Sequence, residues 1–161
     1  MKKKKNIWLQ EHKKIISSSP QKTMRLGKEL ANVLLADKRE EHALVIALEG
    51  DLGSGKTTFI QGFAKEAGIT LPVLSPTFVV VKSFDIPGKG NYTRLYHIDC
   101  YRIDSPRDLQ ELEWESIVGN PTHLILIEWP SRVRALLPQD TIWLQFRHEG
   151  KKKREILFIE K

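Results

Sequence analysis

Gly50-Asp51-Leu52-Gly53-Ser54-Gly55-Lys56-Thr57 matches G-x-x-x-x-G-K-[ST] at every fixed position. Before it lies an apolar run, residues 43–49, that reads as a buried strand; after it, residues 56–67 read as a helix stopped by Gly68. A strand, a glycine-rich turn and a helix in that order commit the chain to an α/β fold. Glycines let such a loop close around a phosphate without side-chain clashes. The loop amides and the positive end of the following helix then hold the anion. Lys56 is placed to reach the β- and γ-phosphates, and the Thr57 hydroxyl to ligate Mg²⁺. Lys56 is expected to serve the phosphates without a packing role of its own. The pattern is that of a nucleoside triphosphate site.

The rest of the chain alternates in the same way. Ser19-Pro20 reads as a helix start, with serine as cap and proline in the first turn. Met24, Leu26, Leu30, Val33 and Leu34 then recur at helical spacing to about Ala36. Residues 78–84 and 92–99 read as strands flanking the Pro87-Gly88 turn, and residues 105–114 as a helix with an acidic face. Residues 124–128 are a second buried strand, and residues 141–147 and 154–159 flank a turn at Glu149-Gly150. The expected architecture is a P-loop NTPase fold: a mixed, mostly parallel central sheet flanked by helices, with antiparallel hairpins. Residues 1–14 read as a flexible lysine-rich extension and residues 15–161 as a single domain, with residues 15–16 as a short first strand.

Charge separates the ends from the body. The total is +6, but residues 1–14 hold six lysines and one glutamate. Residues 151–161 hold five basic and two acidic side chains, which leaves −2 for residues 15–150. A nucleic-acid surface is therefore not expected on the body, and the lysine-rich ends read as solvated. No apolar run is long enough to span a membrane, and no secretory signal is evident. The single cysteine, Cys100, excludes an internal disulfide and a multi-cysteine zinc site, in keeping with a reducing cytoplasm.

A phosphate loop needs an acid nearby to hold a metal or position water. Glu128 ends a strand of four apolar residues, and Asp99 ends the strand-like Leu95-Tyr96-His97-Ile98-Asp99. Both are candidates, and the residues alone do not choose between them. His97 faces the same side as Asp99 and reads as a packed, hydrogen-bonded structural histidine; Cys100 points the other way, as buried filler. Ser75-Pro76-Thr77 reads as a stiffened loop entering a strand, with Ser75 and Thr77 as candidate sensors of the terminal phosphate.

Four blocks together resemble the TsaE (YjeE) family. They are Gly50 to Phe59 followed by Gln61-Gly62, then Ser75-Pro76-Thr77-Phe78, then Tyr96-His97-Ile98-Asp99-Cys100-Tyr101-Arg102, then Ile127-Glu128-Trp129-Pro130. Two segments depart from the pattern: the extension at residues 1–14, and residues 109–120, which include Trp114. The resemblance implies a small cytoplasmic ATPase needed for threonylcarbamoyladenosine next to the tRNA anticodon. It implies work with TsaB and TsaD, contact with tRNA only through that assembly, and no membrane. ATP and Mg²⁺ are the implied cofactors. Gly50, Asp51, Leu52, Gly53, Ser54, Gly55, Lys56, Thr57, Thr58 and Trp129 are the implied nucleotide residues, and Ser75 and Thr77 the switch. Lys56, Asp99 and Glu128 form the implied catalytic set, with Thr57 and Glu128 at the metal and Asp99 as the catalytic acid.

Three rivals are weaker. A GTPase-like switch has Asp85-Ile86-Pro87-Gly88 as D-x-x-G but no N-K-x-D guanine reader. A small-molecule kinase needs an arginine-bearing lid, and only Arg132 and Arg134 cluster after the second buried strand. A non-enzymatic RNA-binding module has only the lysine-rich ends in its favour.

Overall fold

The computed structural model describes residues 10, 13–88 and 90–159. Among them, seven strands form one sheet: β1 (Lys14–Ser17), β2 (Leu44–Gly50), β3 (Val81–Asp85), β4 (Arg94–Asp99), β5 (His123–Glu128), β6 (Ile142–Glu149) and β7 (Lys153–Ile159). Their order is β1-β7-β6-β2-β5-β4-β3. The four central strands, β6, β2, β5 and β4, run parallel, while β7, β1 and β3 add antiparallel edges. β2 and β5 are apolar on both faces because both faces are covered. This is the α/β architecture expected from the sequence.

Helix α1 (Pro20–Leu34) and α2 (Lys56–Glu66) cover one face. Ser19 is extended, its side chain accepts the Lys22 amide at 3.1 Å, and Pro20 fills the first turn. Leu26, Leu30, Ala31 and Leu34 follow at helical spacing and bury against Leu44, Ile46, Phe59 and Phe63. The two helices touch backbone to backbone: a Cβ on Gly62 would lie 1.9 Å from the Met24 carbonyl, and one on Gly27 2.1 Å from the Phe59 carbonyl. The other face is covered by α3 (Pro106–Gln110), α4 (Trp114–Val118) and a 3₁₀ segment (Pro130–Leu136). Trp114, in the segment that departs from the family pattern, is a core residue there.

Three expectations are corrected. The strand expected at residues 78–84 begins only at Val81. Ahead of it, the amides of Val79 and Val80 both bond the Pro76 carbonyl, at 3.0 and 2.7 Å, and Val80 sits at φ +62°. That turn leaves Phe78 87% exposed. The helix expected at residues 105–114 is two short helices, because Glu113 takes φ +59° and breaks the run. Lys14, expected in the extension, already pairs with Leu157 in β1. Residues 1–9 and 11–12 of that extension lie outside the described residues. No helix among the described residues is long and apolar enough to cross a membrane.

Parallel strands gather their carboxyl ends. Gly50 of β2, Glu128 of β5 and Asp99 of β4 end side by side, with Asp99 directly opposite Glu128. In open α/β sheets this end carries the ligand crevice.

Candidate functional site

The loop leaving β2 turns back on glycines at φ +149° (Gly50), +71° (Gly53) and +101° (Gly55). Gly55 is the N-cap of α2, a left-handed position where a side chain would be strained, and no side chain caps the helix start. The first-turn amides of α2 therefore face the cleft without a side-chain acceptor.

Lys56 opens α2 and is 4% exposed. Its Nζ donates to the carbonyls of Gly50 (2.6 Å) and Asp51 (3.0 Å) and lies 4.5 Å from the Trp129 ring centroid. Lys56 thus does have a structural role: it ties the loop to its own base, contrary to the expectation of an unpacked ammonium. Burial lowers its pKa from 10.5, and the carboxylates of Glu128 and Asp99 oppose that shift. Trp129 holds its place over Lys56 from a left-handed backbone position at φ +57°, with its ring 5.2 Å from that of Tyr101.

The two acids have different partners. Glu128 Oε1 accepts the Thr57 hydroxyl at 3.0 Å and lies 2.9 Å from His97 Nε2. Asp99 Oδ2 accepts the hydroxyls of Ser75 (2.5 Å) and Thr77 (2.9 Å), and its Oδ1 accepts the Tyr101 amide at 2.9 Å. Asp99 therefore anchors the Ser75–Thr77 loop, whereas Glu128 is joined to the glycine loop through Thr57. A cleft of about 310 Å³ lies between them, lined by residues 52–58 with Ser75, Thr77, Asp99, Tyr101, Glu128 and Trp129.

The structure thus brings together Leu52, Gly53, Ser54, Gly55, Lys56, Thr57, Thr58, Ser75, Thr77, Asp99, Glu128 and Trp129 around one cleft. Gly50 and Asp51 do not line it; they contribute the carbonyls that hold Lys56.

The model of a family described as "Threonylcarbamoyl adenosine biosynthesis protein TsaE" matches residues 17–156 of this chain. The chain belongs to the TsaE family. The tRNA threonylcarbamoyladenosine biosynthesis protein TsaE of Bacillus subtilis (strain 168) is 40% identical over 115 residues, covering 71% of this chain and 68% of that protein. The corresponding protein of Nostoc sp. (strain PCC 7120) is 36% identical over 148 residues, covering 89% and 84%. The crystal structure of Bacillus subtilis YdiB superposes with a TM-score of 0.67 at 33% identity, covering 90% of this chain and 82% of that one. Membership places the chain in tRNA threonylcarbamoyladenosine biosynthesis.

Within this TsaE-family chain, several site residues escaped the sequence reading. His148 Nε2 lies 3.2 Å from the Leu52 carbonyl, and Arg154 Nε donates to the Gly53 carbonyl at 3.1 Å. Both come from the β6–β7 hairpin and grip the loop from outside. They are about a hundred residues from it in sequence, and no local pattern marks them. Tyr101 was visible only as part of a family block.

Two of the rivals, the GTPase-like switch and the small-molecule kinase, lose the residues they rested on. Asp85 pairs with Arg94 at the far end of β4 from Asp99, away from the cleft. Arg132 donates to the Ile103 carbonyl at 2.9 Å, and the Arg134 guanidinium stacks 4.9 Å from the Trp143 ring. Neither lines the cleft.

Proposed function

We propose that this TsaE-family chain is a P-loop ATPase that binds and hydrolyses ATP in support of threonylcarbamoyladenosine formation on tRNA next to the anticodon. The observation that carries this reading is the bond from Thr57 to Glu128. It brings the last residue of the phosphate-loop motif onto a carboxylate at the end of the neighbouring parallel strand. A hydroxyl beside a carboxylate, both lining the cleft, is the donor set a magnesium nucleotide needs. Mg²⁺ is typically held by one or two carboxylates and the substrate's own phosphates.

In this reading the loop amides and the start of α2 receive the β-phosphate. Lys56 moves its donors from the Gly50 and Asp51 carbonyls to the phosphates. Thr57 and Glu128 would hold the cation, whose charge would offset that of the transferring phosphoryl group. Asp99 would orient the attacking water once Ser75 and Thr77 release Oδ2; those hydroxyls report on the terminal phosphate. Trp129 covers the loop lysine. TsaB and TsaD are the proposed partners, with tRNA reached through them, in the cytoplasm.

Calorimetry with ATP and GTP in the presence of Mg²⁺, together with steady-state phosphate release with and without TsaB and TsaD, tests the reading. ATP binding with hydrolysis is expected. Failure to bind any nucleoside triphosphate would overturn it.

A further inference from the structure

His97 carries an arrangement that packing alone does not account for. It lies inside β4, fully buried, on the sheet face shared with α2. Its Nε2 is 2.9 Å from Glu128 Oε1, while its Nδ1 is buried with no hydrogen-bond partner. An apolar side chain would fill this position without leaving a polar atom unpaired. Because an ionised carboxylate only accepts, Nε2 must carry a proton. The ring is therefore oriented with Nε2 on one oxygen.

That oxygen is the one Thr57 also uses. With Oε1 taken twice, Oε2 has no protein hydrogen bond among the described residues, on a carboxylate that lines the cleft. Resting on the magnesium-nucleotide reading above, we infer that His97 is a positioning residue for Glu128. It fixes the carboxylate with Oε2 left to the cleft, and it would keep that orientation if the Thr57 hydroxyl left Oε1 for a bound cation. Groups that orient a ligating side chain typically change metal affinity by about 10–100-fold when removed.

The test uses the full chain and three variants. In His97→Gln the amide nitrogen stands as many bonds from Cβ as Nε2 does. In His97→Asn it stands only as far as Nδ1, and His97→Leu removes both. ATP affinity is measured by calorimetry in Mg²⁺ and in EDTA, and Mn²⁺ binding with ADP by electron paramagnetic resonance. Wild type and His97→Gln should share the same gain in affinity on adding Mg²⁺. His97→Asn and His97→Leu should lose about ten-fold or more of that gain and of Mn²⁺ affinity, with EDTA affinities unchanged. If His97→Leu does not fold, the Gln and Asn pair decides alone. Equal metal dependence in Gln and Asn variants would overturn the positioning role while leaving the nucleotide site intact. Absence of nucleotide binding by the wild type would overturn both readings.

Discussion

Thr57 and Glu128, 71 residues apart, share a 3.0 Å hydrogen bond that ties the start of α2 to the end of β5. Asp99, directly opposite Glu128 in the sheet, instead holds Ser75 and Thr77. Two carboxylates at the same level of a parallel sheet thus grip two different loops. Their substitutions should separate. Glu128→Gln and Asp99→Asn should each lower hydrolysis by about 10²-fold or more, the scale of a lost acid–base or charge role; Asp99→Asn should leave ATP affinity little changed, whereas Glu128→Gln should also lose the part of it that depends on Mg²⁺. Only Asp99→Asn should also speed amide exchange across residues 75–80, because it weakens the acceptor for both hydroxyls. Wild-type turnover in either variant would remove that residue from the chemistry.

Lys56 makes a double contribution. Lys56→Ala should abolish ATP binding in calorimetry, and it should also lower stability. Two bonds from an ammonium to the Gly50 and Asp51 carbonyls are lost; a hydrogen bond to a charged group is worth about 1.5–3 kcal/mol. Chemical denaturation should show a loss of about that size, with the gain from relieving a buried charge working against it. Unchanged ATP affinity would refute the phosphate role.

The strongest signals in the sequence were local ones. The glycine loop, the Ser19 cap with the periodic residues of α1, and the Glu149-Gly150 hairpin are written in short spacings, and the structure has all three. Phe78-Val79-Val80 misled because aromatic and β-branched residues favour strands. What bends that segment is the Pro76 carbonyl, with Ser75 and Thr77 held by an aspartate 24 and 22 residues away. His97 was visible as a strand histidine, but its carboxylate partner lies 31 residues further on. The grip of His148 and Arg154 on the loop is likewise set by the closing of the sheet, which no local pattern encodes.

Gly62 is where the two cover helices touch. Gly62→Ala places a Cβ 1.9 Å from the Met24 carbonyl, backbone that has no rotamer to escape into. The helices must separate, at a cost of about 1–3 kcal/mol or more. Thermal unfolding should show a clear fall in Tm. A neutral result would mean the α1–α2 contact is looser than the structure has it.

Alkaline pH should expose two buried acids. Burial pushes the Cys100 thiol from 9.0 up to about 12, and the Tyr92 phenol from 10.0 up to about 12. Between those values the folded chain keeps protons that the unfolded chain releases, so stability falls as pH rises. Lys56 acts in the opposite sense, since its folded pKa is lowered. Denaturation midpoints between about pH 8.5 and 11 should fall less steeply in Cys100→Ala and in Tyr92→Phe than in wild type. Identical slopes in all three would show that neither group is held neutral by the fold.

Hydrolysis by the isolated chain should be slow. Phosphoryl transfer at P-loops gains roughly 10³–10⁵ in rate from an arginine on the transferring phosphate, and no arginine among the described residues lines this cleft. Arg102 stacks 4.8 Å from the Phe78 ring at the rim, and Arg132 and Arg134 are engaged on the other face of the sheet. The Ser75 and Thr77 hydroxyls, meanwhile, are both held by Asp99. A partner docking over Phe78 and Val79, both largely exposed, would supply the missing charge or redirect that loop. TsaB and TsaD should therefore raise phosphate release well above the intrinsic rate. The same stimulation should survive removal of residues 1–12, a cut that spares β1 at Lys14, because tail charges are screened beyond about 8–10 Å. Rates are measured for both chains with and without the partners. A fast partner-independent rate would mean the cleft is already complete, and stimulation lost with the tail alone would move the partner contact to the lysines.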